Sequence, residues 1–209
     1  MDNKQFRAKP DCSQYVTHFT KNGKCTGEHN DKFQEIEKMA AFDRFVNILK
    51  EKRIRASKMT WTGASAVCFT ESPWTSLLSH TERYSPYGIG FTKQRLYQDK
   101  GGPALYCRPD LFIDQKKKGG FASRVMPFLT PFSLSGHSSV GYCDYSHERE
   151  WRVPKDFCFE YSDIQFIVLN SQEDWDSIPI ELKSMIDPSI VIFMDNYKLI
   201  EELWPVHIK

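Results

Sequence analysis

The chain has 209 residues, of which 40% are hydrophobic and 14% aromatic, a composition typical of a folded globular protein and not of a disordered one. Its formal net charge of +1 argues against a protein defined by bulk attraction to nucleic acid or to a membrane, although it says nothing about local patches. At this length we expect one domain that spans residues 1–209.

The N-terminal residues, MDNKQFRAKPDCSQ, lack the apolar core of a signal peptide. No stretch approaches the roughly 18 apolar residues that a membrane-spanning helix needs. We therefore expect a cytoplasmic protein with no membrane partner. In that compartment the six cysteines are expected to be reduced thiols rather than a disulfide framework.

Charge is segregated along the chain. Residues 92–124 hold eight Lys and Arg against three Asp, and residues 44–58 hold six Lys and Arg against one Glu. Residues 156–202 carry eleven Asp and Glu against two Lys. Two basic segments are thus followed by an acidic C-terminal third.

In chain order, the first predicted element is a β-strand at residues 15–21, YVTHFTK, where aromatic and β-branched residues mix. Residues 32–52 show apolar side chains at helical spacing, and Asn30 or Asp31 can cap the start of this amphipathic helix. An extended segment, RIRAS, follows at residues 53–57.

The middle of the chain predicts short strands separated by turns. A strand at residues 66–73 ends at a proline, and residues 74–84 form a turn or a short helix. In the next strand Gly88 and Gly90 flank an isoleucine, a pattern that indicates close approach of a ligand or another chain to the backbone. Residues 101–109 form a turn into a further strand.

The C-terminal half begins with a Gly-, Ser- and Pro-rich helix or loop at residues 114–141. Strands are then predicted at residues 148–154, 157–170 and 189–195. A helix is predicted at residues 177–186 and a terminal helix at residues 196–204. About seven short strands with a few helices, mostly N-terminal, indicate an α+β fold.

The segment SHEREWRVP at residues 146–154 concentrates charge around a tryptophan. If residues 148–153 are extended, Glu148, Glu150 and Arg152 share one face of the strand. A solvated charge ladder is one interpretation of this face. The other is a catalytic carboxylate, which needs partners from elsewhere in the chain.

Those partners occur in a fixed order: THFT, NILKEKRIRAS, CFTESP, YSPYGIGFTKQ, PALY and HEREWRV. This order resembles the toxin-type ADP-ribosyltransferases of bacterial phage defence, with AbiGi-type abortive-infection proteins as the nearest match and DarT-like nucleic-acid ADP-ribosyltransferases more distant. The resemblance covers roughly residues 15–170. It implies an ADP-ribosyltransferase-like split β-sheet core, with N-terminal helices, that clamps NAD.

The resemblance also implies roles for individual residues. His18 and Thr20 match the early motif that contacts the adenosine-side ribose, and Glu150 matches the glutamate of the late strand. Three aromatic residues are candidates for stacking on nicotinamide, and the alternatives stay open: Tyr87, Phe91 and Tyr106. The remaining NAD contacts implied by the matching motifs are Ser57, Glu71 and Arg152.

The chemistry explains why these residue types suit NAD. Cleavage of the bond between nicotinamide and ribose develops oxocarbenium character, which a fixed carboxylate such as Glu150 stabilises. Glu148 is the second catalytic candidate because it can activate the acceptor. Arg152 can pair with either carboxylate or with the pyrophosphate, and a neutral His18 can bond a ribose hydroxyl.

The predicted acceptor is a nucleic acid, RNA or DNA, because the two basic segments and nearby aromatic residues can contact phosphates and stack on bases. A protein acceptor is the alternative. A toxin also implies a cognate antitoxin or chaperone partner.

A catalytically silent antitoxin or sensor on the same fold is the rival hypothesis, since AbiGi-type proteins carry the label antitoxin and fold does not fix function. If the chain is an enzyme, His18 and Glu150 converge on one pocket. If it is a silent module, Glu150 pairs with a neighbouring arginine far from His18. A nuclease ranks third because no metal-binding carboxylate motif is present.

Metal and nucleophile sites are weakly indicated. The spacing of Cys12, His18, Cys25 and His29 lacks the tight C-x2-C knuckle of zinc sites, so no metal is predicted. A Cys nucleophile with His80 or His147 is equally unspecific, and no G-x-S-x-G, P-loop or G-x-G-x-x-G motif occurs.

Overall fold

The computed structural model describes residues 13–22, 38–71 and 84–196. The described strands are β1 (Tyr15–Phe19), β2 (Arg53–Ile54), β3 (Ser57–Lys58), β4 (Ser65–Phe69), β5 (Gly88–Thr92), β6 (Gly102–Pro103), β7 (Leu105–Cys107), β8 (Leu129–Pro131), β9 (Trp151–Val153), β10 (Phe157–Cys158), β11 (Phe166–Leu169) and β12 (Val191–Phe193). The described α-helices are α1 (Ala41–Glu51), α2 (Lys93–Gln98), α3 (Pro109–Lys117), α4 (Gln172–Ser177) and α5 (Ile180–Lys183). The fold is therefore α+β with several small sheets, and the predicted fold class is confirmed.

The first sheet has the strand order β1-β5-β11-β12. Its strands are antiparallel except for the parallel pair β11–β12. A side chain on Gly88 or Gly90 of β5 would collide with the ring of Phe19 or of Phe166, respectively. The close approach that the GIG pattern predicts is therefore made by aromatic rings of the two neighbouring strands.

The second sheet has the order β3-β4-β9-β6 and is antiparallel throughout. It meets the first sheet at one bridge, where Thr17 of β1 and Thr70 after β4 exchange two backbone hydrogen bonds of 2.8 Å. The two sheets are thus joined along β1 and β4. That this core is specifically ADP-ribosyltransferase-like stays a prediction.

Helix α1 packs across this junction because one of its faces is apolar. Phe45 and Leu49 are fully buried, and each contributes about 1.5–3 kcal/mol of burial free energy. The start of the helix is tied to the segment after β1, since the side-chain oxygen of Asn22 accepts from Ala41 N at 2.8 Å. The helix ends at Lys52, whose backbone adopts the left-handed conformation.

An aromatic cluster fills the space between the sheets. Phe91 contacts Phe69, Phe157 and Phe159 with ring centroids 5.0–6.1 Å apart, mostly edge to face. This cluster fixes β4, β5 and the β9–β10 region relative to one another, which holds the junction of the two sheets in place.

Several predicted boundaries differ from the structure. The strand predicted at residues 148–154 shortens to β9 because residues 146–148 form a 3₁₀ turn and Arg149 has a positive φ of 44°. The strand predicted around Gly88 and Gly90 ends at Thr92, where helix α2 begins, since Thr92 caps that helix by accepting from Arg95 N at 3.1 Å.

Two more segments were predicted with the wrong bounds. Helix α3 starts at Pro109, a residue suited to the first helical turn, and β8 interrupts the predicted helix or loop at residues 114–141. The helix predicted at residues 177–186 shortens to α5, which begins after Pro179, and α4 lies before it, largely in residues for which no helix was predicted. Residues 30–37, 74–83 and 197–204, which hold other predicted helical segments or caps, lie outside the described residues.

Candidate functional site

A cleft of about 370 Å³ lies beside the junction of the two sheets. Its walls come from β1 and the residues after it, from α1, from the β2–β3 segment and from the end of β4. Tyr84, Glu148 and Glu150 complete it. The volume lies within the range of about 300–1,000 Å³ that small-molecule sites occupy.

The predicted site residues that line the cleft are His18, Thr20, Ser57, Glu148 and Glu150. They come from three separate stretches of sequence. The fold therefore brings His18 and Glu150 to one pocket, which is the arrangement that an enzyme requires and a remote salt bridge would not give.

His18 is held in one tautomer. Its Nδ1 lies 2.9 Å from the carbonyl oxygen of Cys68, and because a carbonyl only accepts, Nδ1 carries the proton. Burial lowers the pKa of His18, and the hydrogen bond that His18 donates to the Cys68 carbonyl acts in the opposite direction. The ring is therefore neutral at pH 7, and Nε2 is an acceptor for a ligand hydroxyl.

Glu148 is fixed at the end of β4. Its backbone carbonyl accepts from Thr70 Oγ1 at 2.6 Å and from Glu71 N at 3.2 Å. Its carboxylate accepts from Tyr84 Oη at 3.3 Å, and the residue is buried. The 3₁₀ turn and the positive φ of Arg149 turn the chain so that Glu148 still faces the cleft with Glu150.

Glu150 forms an ion pair at the cleft wall. Its Oε2 accepts from Arg152 Nη2 at 2.7 Å, and its backbone carbonyl accepts from Ala104 N at 2.8 Å. Of the two partners that the sequence left open for Arg152, carboxylate or pyrophosphate, the structure shows the carboxylate. Arg152 itself does not line the cleft.

Cys68 contributes a thiol to the same wall. Burial raises its pKa well above the usual value, and the negative charge of Glu150 adds to this effect. The thiol is therefore protonated at neutral pH and lacks the thiolate needed for nucleophilic attack. Cys68, Cys107, Cys143 and Cys158, the cysteines that the structure describes, are free thiols.

Five basic residues also line the cleft: Lys21, Arg44, Arg53, Arg55 and Lys58. Arg53 pairs with Asp156 at 2.6 Å, and Arg55 pairs with Glu51 at 2.9 Å. The Nε of Arg55 is buried without a hydrogen-bond partner among the described residues. These cations suit an anionic ligand group.

Tyr84 is the cleft residue that sequence reasoning missed. It brings an aromatic ring and a phenol to the carboxylate side, and Lys21 Nζ lies 5.9 Å from the centre of its ring. In the sequence, Tyr84 lies in ERYSPYG, three residues before Tyr87, and no local pattern distinguishes it as a site residue.

The aromatic residues predicted to stack on nicotinamide lie elsewhere. Phe91 is fully buried in the aromatic core, so it has no face available to a ligand. Tyr87 packs against Phe42 and donates to Asp174 at 3.3 Å, and burial is the main cause that raises its pKa to about 12. Tyr106 donates to the Tyr145 carbonyl at 2.9 Å and does not line the cleft.

Two further residues that were predicted to contact NAD are bonded to other groups of the protein. Glu71 points away from the cleft and pairs with Lys93 at 2.6 Å, while it also accepts from Trp151 Nε1 at 3.2 Å. Thr20 reaches the cleft, but its hydroxyl donates to the Ala41 carbonyl at 2.9 Å. Glu71 and Thr20 thus stabilise the framework around the site.

Among the described residues, no group of three or more His, Cys, Asp and Glu side chains is placed to hold a metal ion. Three members of the weak zinc pattern, Cys12, Cys25 and His29, lie outside those residues, as does His80. Within the same described part of the chain, no helix is long and apolar enough to cross a membrane.

Residues 34–128 match the family described as "Putative abortive phage resistance protein AbiGi, antitoxin". The match covers α1, β2 to β4 and the chain as far as the 3₁₀ turn before β8, which includes most of the basic residues of the cleft but neither His18 nor Glu150. No curated protein and no solved structure matches the chain significantly. The comparison supports the AbiGi part of the resemblance and a phage-defence context.

Proposed function

We propose that the chain is an ADP-ribosyltransferase of phage defence that binds NAD in the cleft and transfers ADP-ribose to a macromolecule. The observation that carries this proposal is the convergence of His18, Glu148 and Glu150 on one cleft from distant parts of the sequence. A cleft in which such polar and titratable side chains converge is the default candidate for an active site.

Each side of the cleft has a role in this reaction. Glu150 stabilises the positive charge that develops on the ribose when nicotinamide leaves, because its carboxylate is fixed and close to the cleft. His18 accepts a ribose hydroxyl through Nε2. Glu148 accepts the proton of the attacking group, and the phenol of Tyr84 orients it.

The basic residues of the cleft suit the pyrophosphate of NAD. Arg53, Arg55 and Lys58 line the cleft, and their positive charges would attract a phosphate group. Ser57 lies on the adjacent strand and adds a hydroxyl.

A nucleic-acid acceptor is supported by an aromatic platform formed by Trp61, Phe112 and Phe121. The Trp61 and Phe112 rings lie 4.2 Å apart, and Phe112 stacks on Phe121 at 5.8 Å. Exposed cations surround it at Lys116, Lys118 and Arg124. Aromatic faces beside cations favour stacked bases and backbone phosphates.

The test is incubation of the purified protein with isotope-labelled NAD and a cell extract, followed by mass spectrometry of RNA, DNA and protein. We expect label in nucleic acid that is lost in Glu150→Gln and kept in the matched control Glu173→Gln, an exposed carboxylate on α4. Label in protein would change the acceptor class. Folded protein that neither binds nor consumes NAD contradicts the proposal.

The second candidate is an antitoxin that acts by binding a cognate toxin. Two observations favour it: the family description names an antitoxin, and Glu150 is already engaged by Arg152. Expression of the chain alone separates the two candidates. An active transferase arrests growth in a manner that depends on Glu150, whereas an antitoxin leaves growth unchanged and restores it when the toxin is present.

A further inference from the structure

Arg152 is anchored more firmly than a surface arginine. It is 6% exposed and lies in β9 between Cys68 of β4 and Gly102 of β6. Its Nη1 donates to the carbonyl oxygens of Leu129 at 2.8 Å and Pro127 at 3.2 Å. Backbone carbonyls cannot rotate away, so they fix the plane of the guanidinium.

The anchored guanidinium holds one oxygen of Glu150. Arg152 Nη2 donates to Glu150 Oε2 at 2.7 Å, and the side chains alternate along the strand so that residues 150 and 152 share a face. The Glu150 side chain is 13% exposed and lines the cleft, while the Arg152 side chain, 7% exposed, lies behind it. The pair is therefore asymmetric, with a buried cation and a carboxylate that reaches the ligand space.

Arg152 keeps its charge in this environment. Burial alone would lower the pKa of Arg152, but its hydrogen bond and ion pair with Glu150 raise it. The neighbouring thiol of Cys68 is neutral, so it does not compete as an anion for the guanidinium. In the Glu71–Lys93 pair the arrangement is reversed, since the carboxylate is 7% exposed and its cation is 17% exposed.

We propose that Arg152 is a positioning residue that fixes the orientation of the Glu150 carboxylate in the cleft wall by holding one of its oxygens. This inference rests on the proposed transferase function, because it assigns to Arg152 the orientation of the group that stabilises the transition state. A carboxylate held in one orientation is effective only if its support is rigid.

The test measures NAD turnover by Arg152→Met and Arg152→Lys. We expect kcat to fall at least tenfold in Arg152→Met while KM for NAD changes less than threefold, because the contact acts through Glu150 and not on the ligand.

Arg152→Lys keeps the charge but cannot reproduce three donor directions, so it should restore only part of kcat. It also serves if Arg152→Met does not fold. The matched control is Arg95→Lys, which perturbs an arginine paired with Asp99 and Asp163 away from the cleft and should leave kcat unchanged.

Two results overturn the proposals separately. If the wild-type protein turns over NAD and the folded Arg152 variants have an unchanged kcat, or differ in KM alone, the role of Arg152 is overturned and the proposed function stands. A wild-type protein without turnover overturns the proposed function, and the role of Arg152 with it.

Discussion

Each face of the β4–β9 pair has a glutamate paired with a cation, but only one of the two glutamates lines the cleft. On one face, Glu71 pairs with Lys93, and both its oxygens are engaged because Oε1 accepts from Ser13 N at 3.0 Å and Oε2 from Lys93 and Trp151. On the other face, Glu150 pairs with Arg152 through Oε2 and lines a cleft. A saturated carboxylate stabilises a fold, whereas a carboxylate with access to a cleft can act on a ligand.

The saturated face should respond to mutation mainly in stability. Lys93→Met leaves the buried Glu71 charge without its cation, and we expect a loss of about 3–5 kcal/mol in the free energy of unfolding. Urea denaturation measures it, and NAD affinity of the folded fraction should change less than threefold. A large loss of affinity at unchanged stability would mean that the Glu71 face belongs to the site.

The open face should respond mainly in activity. Glu150→Gln keeps the shape of the side chain but removes the charge, and we expect NAD turnover to fall by about 10²–10³-fold, or about 2.7–4 kcal/mol of barrier. Stability should change by less than in Lys93→Met, since the amide oxygen can still accept from Arg152. Steady-state kinetics and urea denaturation on the same samples measure the two effects. A large loss of stability with unchanged turnover would assign the structural role to the Glu150 face.

His18 gives the cleft face a pH dependence. Because its pKa is lowered in the folded state, the unfolded chain, with a pKa of about 6.5, takes up the proton first as pH falls. The contribution of His18 to the free energy of unfolding is fully present above about pH 6.5. It is lost as the pH falls below that value, with a slope of at most about 1.4 kcal/mol per pH unit. His18→Asn should flatten this slope in urea denaturation at pH 5 and pH 7.5, while the exposed His137→Asn should not.

The smallest effect is expected at Tyr84. Tyr84→Phe removes the phenol that donates to Glu148 but keeps the ring, so we expect about 1 kcal/mol, or roughly fivefold in turnover. Transfer to the acceptor should slow more than hydrolysis of NAD, because Glu148 is assigned to the acceptor. Equal slowing of both would assign Tyr84 to NAD binding.

Part of the candidate site was predictable because it depends on residue type and local pattern. The β-prone run around His18, the two carboxylates of EREW and the hydroxyl of Ser57 were all identified from sequence, and all line the cleft. The α+β class followed from the periodicity, which is set by residues close in sequence.

Other assignments failed because the same residue types occur on both faces of a strand or in a core. Phe91 and Tyr87 look like ligand-stacking aromatics, but the packing of the two sheets uses them for the interior. Glu71 looks like a cleft carboxylate, but the register of β4 with β9 places it beside Trp151 and Lys93. Tyr84 has no local signal and reaches Glu148 only through the fold.

By itself, then, the sequence determined the composition of a globular α+β protein, the order of the motifs and the pair of carboxylates at residues 148 and 150. The tertiary structure alone decided which carboxylate is saturated and which faces a cleft, that Arg152 stands behind Glu150, and that His18 is a neutral acceptor. The physical reason is that burial, register and hydrogen-bond partners depend on residues far apart in the chain. A local sequence pattern therefore does not determine them.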